Sequence, residues 1–177
     1  VTTVAGDGTA GFGGDGGQAT AAQLNLPSAI ALDAFGNLYI ADAGNFRVRK
    51  VDAATGDIST VAGSGVSNYD PGQDGGAAVL ADLYELAGLA VDGAANLYVS
   101  DATNGMIRRV DGGTGIITTI VLAGAPVINP GALAADGGGN LYIGDGADRR
   151  LKRWDAATSV ANVVAGGGGY CTGCLAT

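Results

Sequence analysis

One short phrase, Asn-Leu-Tyr followed by Ile or Val, recurs three times and constrains the fold more than any other feature of the chain. It begins at Asn37, Asn96 and Asn140, so that successive copies lie 59 and 44 residues apart. After each phrase come an aspartate, a basic segment, a Gly/Thr turn and an apolar run, always in that order. Features that recur in a fixed order at this spacing indicate a repeat architecture.

Each copy contains four short runs rich in β-branched, leucine and tyrosine residues, and Gly, Asn and Asp separate the runs. This pattern is typical of strands and tight turns rather than of helices. A helical turn is arguable only at 24–27 and at 77–87. Four short antiparallel strands in about 45 residues predict a propeller blade, and therefore an all-β chain of three four-stranded blades. In the first copy the four runs are 29–33, 37–40, 46–52 and 58–63.

The repeated motifs resemble those of the NHL-repeat β-propellers. The resemblance is carried by Pro27-Ser-Ala-Ile-Ala-Leu-Asp33, Gly36-Asn-Leu-Tyr-Ile-Ala-Asp42 and Asn45-Phe-Arg-Val-Arg-Lys-Val-Asp52, and it extends nearly to Gly166. The first 20 residues resemble the secreted bacterial branch of that family. The resemblance implies blades of four strands around an axis. It implies little about function, because propellers serve as binders, sensors and some lyases.

Three blades do not close a ring, so the sequence predicts a partial propeller that adjoins further blades. The predicted blades span 7–63, 64–121 and 122–166, and a Gly/Cys tail follows at 167–177. Residues 1–6 form a predicted outer strand that completes a blade outside this chain. Because this strand has no blade of its own, we expect either a window on a longer array or a protomer that donates the strand to a neighbour, building a ring or a fibre. The predicted interface residues are Val1, Thr2, Thr3, Val4 and Ala5.

The chain contains no histidine, and this absence restricts its chemistry. Ser-His-Asp catalysis, Cys-His catalysis and His-ligated zinc cannot be built from this chain alone. A formal net charge of −8 disfavours nucleic acid and anionic membranes as partners. No apolar run approaches the roughly 20 residues that a membrane helix needs. We therefore expect no membrane insertion and no enzymatic activity.

All nine basic residues lie in three short segments, one in each repeat. Because they alternate with apolar residues, we expect them to line the polar face of each third strand and to pair with acids of a neighbouring blade. The aspartate after each second strand is expected to accept backbone N–H bonds or to pair with an arginine. A basic stripe for an acidic polymer and a catalytic carboxylate are the alternatives. The repeated structural residues are Asp42, Asp101, Asp145, Arg49, Arg108 and Lys152.

Two long Gly-rich connections, 6–27 and 63–87, carry carboxylates that could hold calcium on flexible backbone. Their spacing is not that of an EF-hand loop, and a packed surface loop without metal is the alternative. No other cofactor is expected. The calcium candidates are Asp7, Asp15, Asp70 and Asp74.

Cys171 and Cys174 form a Cys-Thr-Gly-Cys motif in the tail. Haem attachment requires a following His, where Leu175 stands, and zinc requires two further ligands. We expect a disulfide, within the tail or to another chain, which fits an oxidising compartment. A catalytic dithiol is the alternative.

These features together predict a non-enzymatic, secreted or extracellular scaffold that binds proteins, namely further copies of itself or adjoining blades. One alternative is a ligand-binding propeller that holds a carbohydrate, a peptide or calcium on the long-loop face. The other is a propeller lyase or hydrolase.

Overall fold

The computed structural model describes residues 1–68 and 73–166. Their strands form three antiparallel sheets, one for each sequence repeat. Within each sheet the four main strands pair in chain order, each with the next. The predicted fold class, an all-β partial propeller of four-stranded blades, is confirmed, and the sheets do not close into a ring.

The strand bounds follow the four runs of each repeat closely. Blade 1 contains β1 (Pro27–Leu32), β2 (Leu38–Asp42), β3 (Arg47–Val51) and β4 (Ile58–Ala62). Blade 2 contains β5 (Leu86–Val91), β6 (Leu97–Asp101), β7 (Met106–Val110) and β8 (Ile117–Thr119). Blade 3 contains β10 (Pro130–Ala135), β11 (Leu141–Asp145), β12 (Arg150–Asp155) and β13 (Val160–Ala165), and a two-residue strand, β9 (Ala123–Gly124), pairs with β13 in parallel.

The connection that precedes each blade folds back onto the outer strand of that same blade. In blade 1, the Gly16 N–H donates to the Ile58 carbonyl at 2.8 Å, and the Ile58 N–H donates to Gly17 at 2.9 Å. An unpaired outer strand would expose a row of backbone groups, so this connection shields the edge of the blade. The same two bonds recur in blade 2, where Gly75 and Gly76 pair with Ile117, and β9 covers β13 in blade 3.

Short 3₁₀ turns lie at Ala19–Ala21, Ala43–Asn45 and Ala78–Leu80. The last lies inside 77–87, where a helical turn was arguable. The region 24–27 instead leads directly into β1, because Leu26 has a φ of 48° and precedes a proline, a combination that cannot continue a helix. Within 1–68 and 73–166, no helix is long and apolar enough to cross a membrane.

The hydrophobic core lies mainly between blades. The first strands, β1, β5 and β10, pack against one another in order. Leu89 and Leu97 of blade 2 belong to the cluster that contacts blade 1, and Leu141 and Trp154 of blade 3 belong to the cluster that contacts blade 2. The middle blade therefore uses both of its faces, and each end blade leaves one face without a neighbouring blade among the described residues.

Candidate functional site

Each blade buries one basic side chain of its third strand. Arg49 is 0% exposed, and its Nη1 lies 3.4 Å from Oδ2 of the equally buried Asp42. In blade 3, Lys152 Nζ lies 2.7 Å from Asp145 Oδ2. Buried charges are tolerated only when they are paired and hydrogen-bonded. The predicted pairing with a neighbouring blade is wrong, because the partner aspartate is at the end of the second strand of the same blade.

Blade 2 is the exception to this pairing. Arg108 and Asp101 are both 0% exposed, but they are not joined by an ion pair in the described residues. Arg108 Nη2 donates to Asp74 at 2.8 Å, and Asp101 accepts from the Asn104 side-chain amide at 2.9 Å. Arg108 Nε and Nη1 and Asp101 Oδ2 have no hydrogen-bond partner among these residues. Two of the repeats therefore hold a direct ion pair at this position, and one does not.

The buried pair of blade 3 predicts a dependence of stability on acid. Burial raises the pKa of Asp145, but the bonds from Lys152 and from the Ile128 and Asn129 amides outweigh it and lower the pKa to about 2. An unfolded carboxyl ionises near 3.8. Asp145 therefore stabilises the fold above pH 3.8, and this contribution is lost as the pH falls through 2.

We expect this carboxylate to account for about 2 kcal/mol of unfolding free energy between pH 4 and pH 2. Urea unfolding across this range, followed by circular dichroism, measures the loss. Asp145→Asn should flatten the curve in this window. An equally steep curve for the variant would contradict the assignment.

Two of the calcium candidates hold the linkers to the blades. Asp15 Oδ1 accepts from Arg49 Nη2 at 2.6 Å, and Asp15 Oδ2 accepts from Thr60 Oγ1 at 2.7 Å. Asp74 likewise accepts from Arg108 Nη2 at 2.8 Å and from Thr119 Oγ1 at 3.1 Å. Each pair of aspartate and arginine is separated by 34 residues, and this repeated separation is the signal by which sequence reasoning could have found it.

Of the remaining residues predicted to bind calcium or to form a disulfide, only Asp7 lies within the described part of the chain. Asp7 accepts from the Thr9 amide at 2.7 Å. Asp70, Cys171 and Cys174 lie outside the described residues. In the part of the chain that the structure describes, no three His, Cys, Asp or Glu side chains are grouped to hold a metal ion. Calcium binding and the disulfide stay predictions.

Neighbouring blades pack large apolar side chains against small ones. We call the side of a blade that faces the preceding blade its leading face, and the opposite side its trailing face. The leading face of blade 2 presents Leu89 and Leu97, which are 4% and 3% exposed. Against them pack Ala29 and Ala31 of the trailing face of blade 1. Large side chains on one blade thus fill the space left by alanines on the next.

No neighbouring blade covers the leading face of blade 1 among the described residues, and the linker packs only against its outer part, at Ile40, Val51 and Ile58. Ile30 holds the position of Leu89, since they pair with Ile40 and Val99 at the same register of β2 and β6. Ile30 is 67% exposed, and Leu32 beside it on the same strand is 63% exposed. Apolar side chains that are exposed together on one face mark an interaction surface. This surface, formed by Ile30 and Leu32, is the open leading face.

The trailing face of blade 3 is open as well. Its Ala132 and Ala134 occupy the positions of Ala29 and Ala31 and are exposed. Val164, the counterpart of the partly buried Val61, is 48% exposed. The chain therefore ends in two faces of opposite type, one with large side chains and one with small side chains.

The segment 1–5 forms no strand in this chain, and Val4 is 58% exposed. Its sequence, Val-Thr-Thr-Val-Ala, matches Ile-Ser-Thr-Val-Ala of β4, and Gly6 and Asp7 follow it as Gly63 and Ser64 follow β4. The backbone contacts match too: the Gly6 N–H donates to Ala19 at 2.9 Å, as the Gly63 N–H donates to Ala78. The segment therefore approaches blade 1 as β4 approaches blade 2.

Comparisons with known proteins agree with these repeats. A family model described as the teneurin NHL domain matches residues 5–69. Over 38 residues the chain is 55% identical to human teneurin-4, which is 22% of this chain and 1% of that protein. The chain is built from NHL repeats. This NHL chain is also 32% identical over 124 residues to the chloroplastic protein SUPPRESSOR OF QUENCHING 1 of Arabidopsis thaliana, covering 68% of the chain and 11% of that protein. It thus spans only a small part of each relative.

Solved structures resemble the NHL chain in fold alone. A catalytically inactive virginiamycin B lyase from Staphylococcus aureus, crystallised with quinupristin, gives a TM-score of 0.53 at 17% identity, over 77% of this chain and 40% of that chain. Hydrazine synthase of Kuenenia stuttgartiensis gives a TM-score of 0.55 at 18% identity, over 77% of this chain and 34% of that chain. An auxiliary nutrient binding protein from Bacteroides thetaiotaomicron gives a TM-score of 0.54 at 19% identity, over 70% of this chain and 36% of that chain. Because these proteins include enzymes and a binding protein, the absence of enzymatic activity stays a prediction. At a coarse level the NHL family supports a protein-interaction module.

Proposed function

We propose that this NHL segment is a protein-interaction scaffold whose open leading face binds a further NHL-type blade. The exposure of Ile30, set against the burial of Leu89 at the same position of blade 2, supports this proposal. Burying apolar surface contributes about 25 cal/mol per Å², so a blade docked on this face would be stabilised as blade 2 is by blade 1. Alanines and a tyrosine on the trailing face of the partner would receive the large side chains.

The segment 1–5 then supplies the outer strand of the docked blade. Its β-branched residues favour extended backbone, and Gly6 and Asp7 hold it at the point where β4 sits relative to blade 2. Addition of a strand to an open sheet edge is a common mode of protein recognition. The partner that fits is therefore a blade of three strands that lacks its own outer strand.

We place this scaffold outside the cell as part of the same proposal. The placement rests on Cys171 and Cys174, because disulfides persist in oxidising compartments. It also fits the acidic composition, which disfavours binding to nucleic acid.

A shortened copy of the chain offers the required partner. A copy that ends at Ala156 lacks β13, so its blade 3 presents three strands and an open trailing face; Ile30→Asp and deletion of residues 1–5 in this copy prevent it from binding to itself. Light scattering of this copy mixed with the full chain should show a complex that the full chain alone does not form. Ile30→Asp in the full chain should abolish the complex, and deletion of residues 1–5 should weaken it. Val66→Asp, a change at an exposed loop residue, is the matched control.

The outcome distinguishes a specific docking face from nonspecific association. Complexes that survive Ile30→Asp undiminished, or that Val66→Asp reduces equally, would refute the proposal. So would a shortened copy that is folded by circular dichroism and yet does not associate with the full chain.

A further inference from the structure

A cleft of about 450 Å³ opens between blades 2 and 3. Its walls come from the β5–β6 turn of one blade and from the β10–β11 and β12–β13 turns of the next, so it lies on the side opposite the long linkers. The volume is within the range of small-ligand sites in proteins. The residues that line it include Asp92, Ala94, Asn96, Tyr98, Arg109 and Trp154.

Trp154 gives this cleft a hydrogen-bond donor that the other two repeats lack at the equivalent position. The other two repeats have Val51 and Val110 there, as the pairing with Leu38, Leu97 and Leu141 shows. The Trp154 side chain is 8% exposed, and its indole N–H has no hydrogen-bond partner among the described residues. A buried N–H normally has an acceptor, so an acceptor from outside the chain is expected here.

The opposite wall is a fixed polar surface. Asp92 Oδ2 accepts from Tyr98 Oη at 2.9 Å and from the Asn96 side-chain amide at 2.8 Å. Burial raises the pKa of Tyr98 to about 12, with the Asp92 hydrogen bond and charge acting in the same direction, so the hydroxyl stays protonated at ordinary pH. Arg109 donates through Nη2 to Asn96 at 2.8 Å and to Asp111 at 3.1 Å. These bonds hold the wall in place before any ligand arrives.

A second cleft supplies an internal comparison. The equivalent space between blades 1 and 2 is smaller, about 330 Å³, and Phe35 lines it. In the cleft between blades 2 and 3 the corresponding residue is Ala94, and three glycines at 137–139 face it. The larger cleft is therefore the one in which the repeats replace a phenylalanine with an alanine and a valine with a tryptophan.

The charges of the cleft decide the class of ligand. Asp92 and Arg109 are the charged residues that line the cleft, so their opposite charges offset each other and the cleft favours neither an anion nor a cation. Donors and acceptors alternate around an apolar wall of alanine and tryptophan. We propose that this cleft binds a small neutral polyhydroxylated ligand, a sugar, whose hydroxyl groups accept from Trp154 and Arg109 and donate to Asp92 and Asn96. This inference is independent of the docking face on blade 1.

Trp154 is the single tryptophan of the chain, so its fluorescence reports on this cleft directly. Titration of the full chain with a panel of common mono- and disaccharides should give a saturable change for at least one of them. Ala94→Phe, which places the phenylalanine of blade 1 in the larger cleft, should weaken that binding at least tenfold. Phe35→Ala, made in the smaller cleft, should leave the affinity within twofold.

Calorimetry provides a readout that does not depend on the fluorophore. Trp154→Val, which installs the residue of the other repeats, should reduce the heat of binding of the same sugar at least tenfold. Arg109→Lys should weaken binding about fivefold. Because blade 1 has Lys50 at this position, the variant should fold normally, so its loss of binding does not reflect misfolding. No saturable signal with any sugar of the panel, or equal affinity in the Ala94→Phe variant, would overturn the proposal.

Discussion

Replacement of Arg49 by methionine is expected to lower the free energy of unfolding by about 3–5 kcal/mol at pH 7. The substitution removes the positive charge that lies 3.4 Å from Asp42 and 2.6 Å from Asp15. Asp42 would remain fully buried without its cation, and the linker would lose its bond to β3. Urea denaturation followed by circular dichroism measures the loss.

Lys50→Met on the same strand is the matched control. Lys50 is half-buried and makes no ion pair among the described residues, so its replacement should cost less than about 0.5 kcal/mol. The loss of unfolding free energy in Arg49→Lys should fall between those of the two methionine variants. Lys152 pairs with Asp145 at this position in blade 3, but a lysine makes fewer hydrogen bonds than an arginine. Equal stability of Arg49→Met and Lys50→Met would show that the buried pair does not hold the blade.

The second large effect compares two residues at the same position of different blades. Leu89→Ala should destabilise the isolated chain by about 2–5 kcal/mol, because Leu89 is buried between blades 1 and 2 and its loss leaves a cavity. Ile30→Ala should cost less than about 0.5 kcal/mol, since Ile30 is 67% exposed. Thermal and urea unfolding of the two variants measure this difference.

The same pair separates folding from association. When the shortened copy is present, Ile30→Ala should weaken the complex, although it leaves the folded chain intact. A strong destabilisation by Ile30→Ala in the isolated chain would show instead that another part of the same chain covers the open leading face.

The strands were predictable because each blade repeats the same signals in the same order. Asn-Leu-Tyr marks the second strand, and the basic segment marks the third, so the three copies support one another. The pair of residues in β9 was not predictable, because its pairing with β13 depends on the path of a linker rather than on a local pattern. The helical turn considered at 24–27 is not formed. Leu24 and Leu26 are compatible with a helix, and nothing in the sequence indicates that Leu26 adopts a left-handed conformation.

The candidate site was less predictable than the fold. Ile30 and Leu89 are similar residues in similar motifs, and only the presence or absence of a packed neighbour distinguishes them. Asp15 was considered as a calcium ligand because glycine-rich sequence does not specify where a loop lies. Its bond to Arg49 crosses 34 residues, and the equal separation of Asp74 and Arg108 is the only mark that this bond leaves in the sequence.

The linker that precedes each blade and covers its outer strand has a consequence for biosynthesis. A ribosome makes the linker before the strand that it covers, so the backbone partners of Ile58 already exist when β4 emerges. Each newly made outer strand can be covered at once, without waiting for later sequence. In a nascent chain of such blades, only the blade being made would present an uncovered outer edge to its neighbours on a polysome.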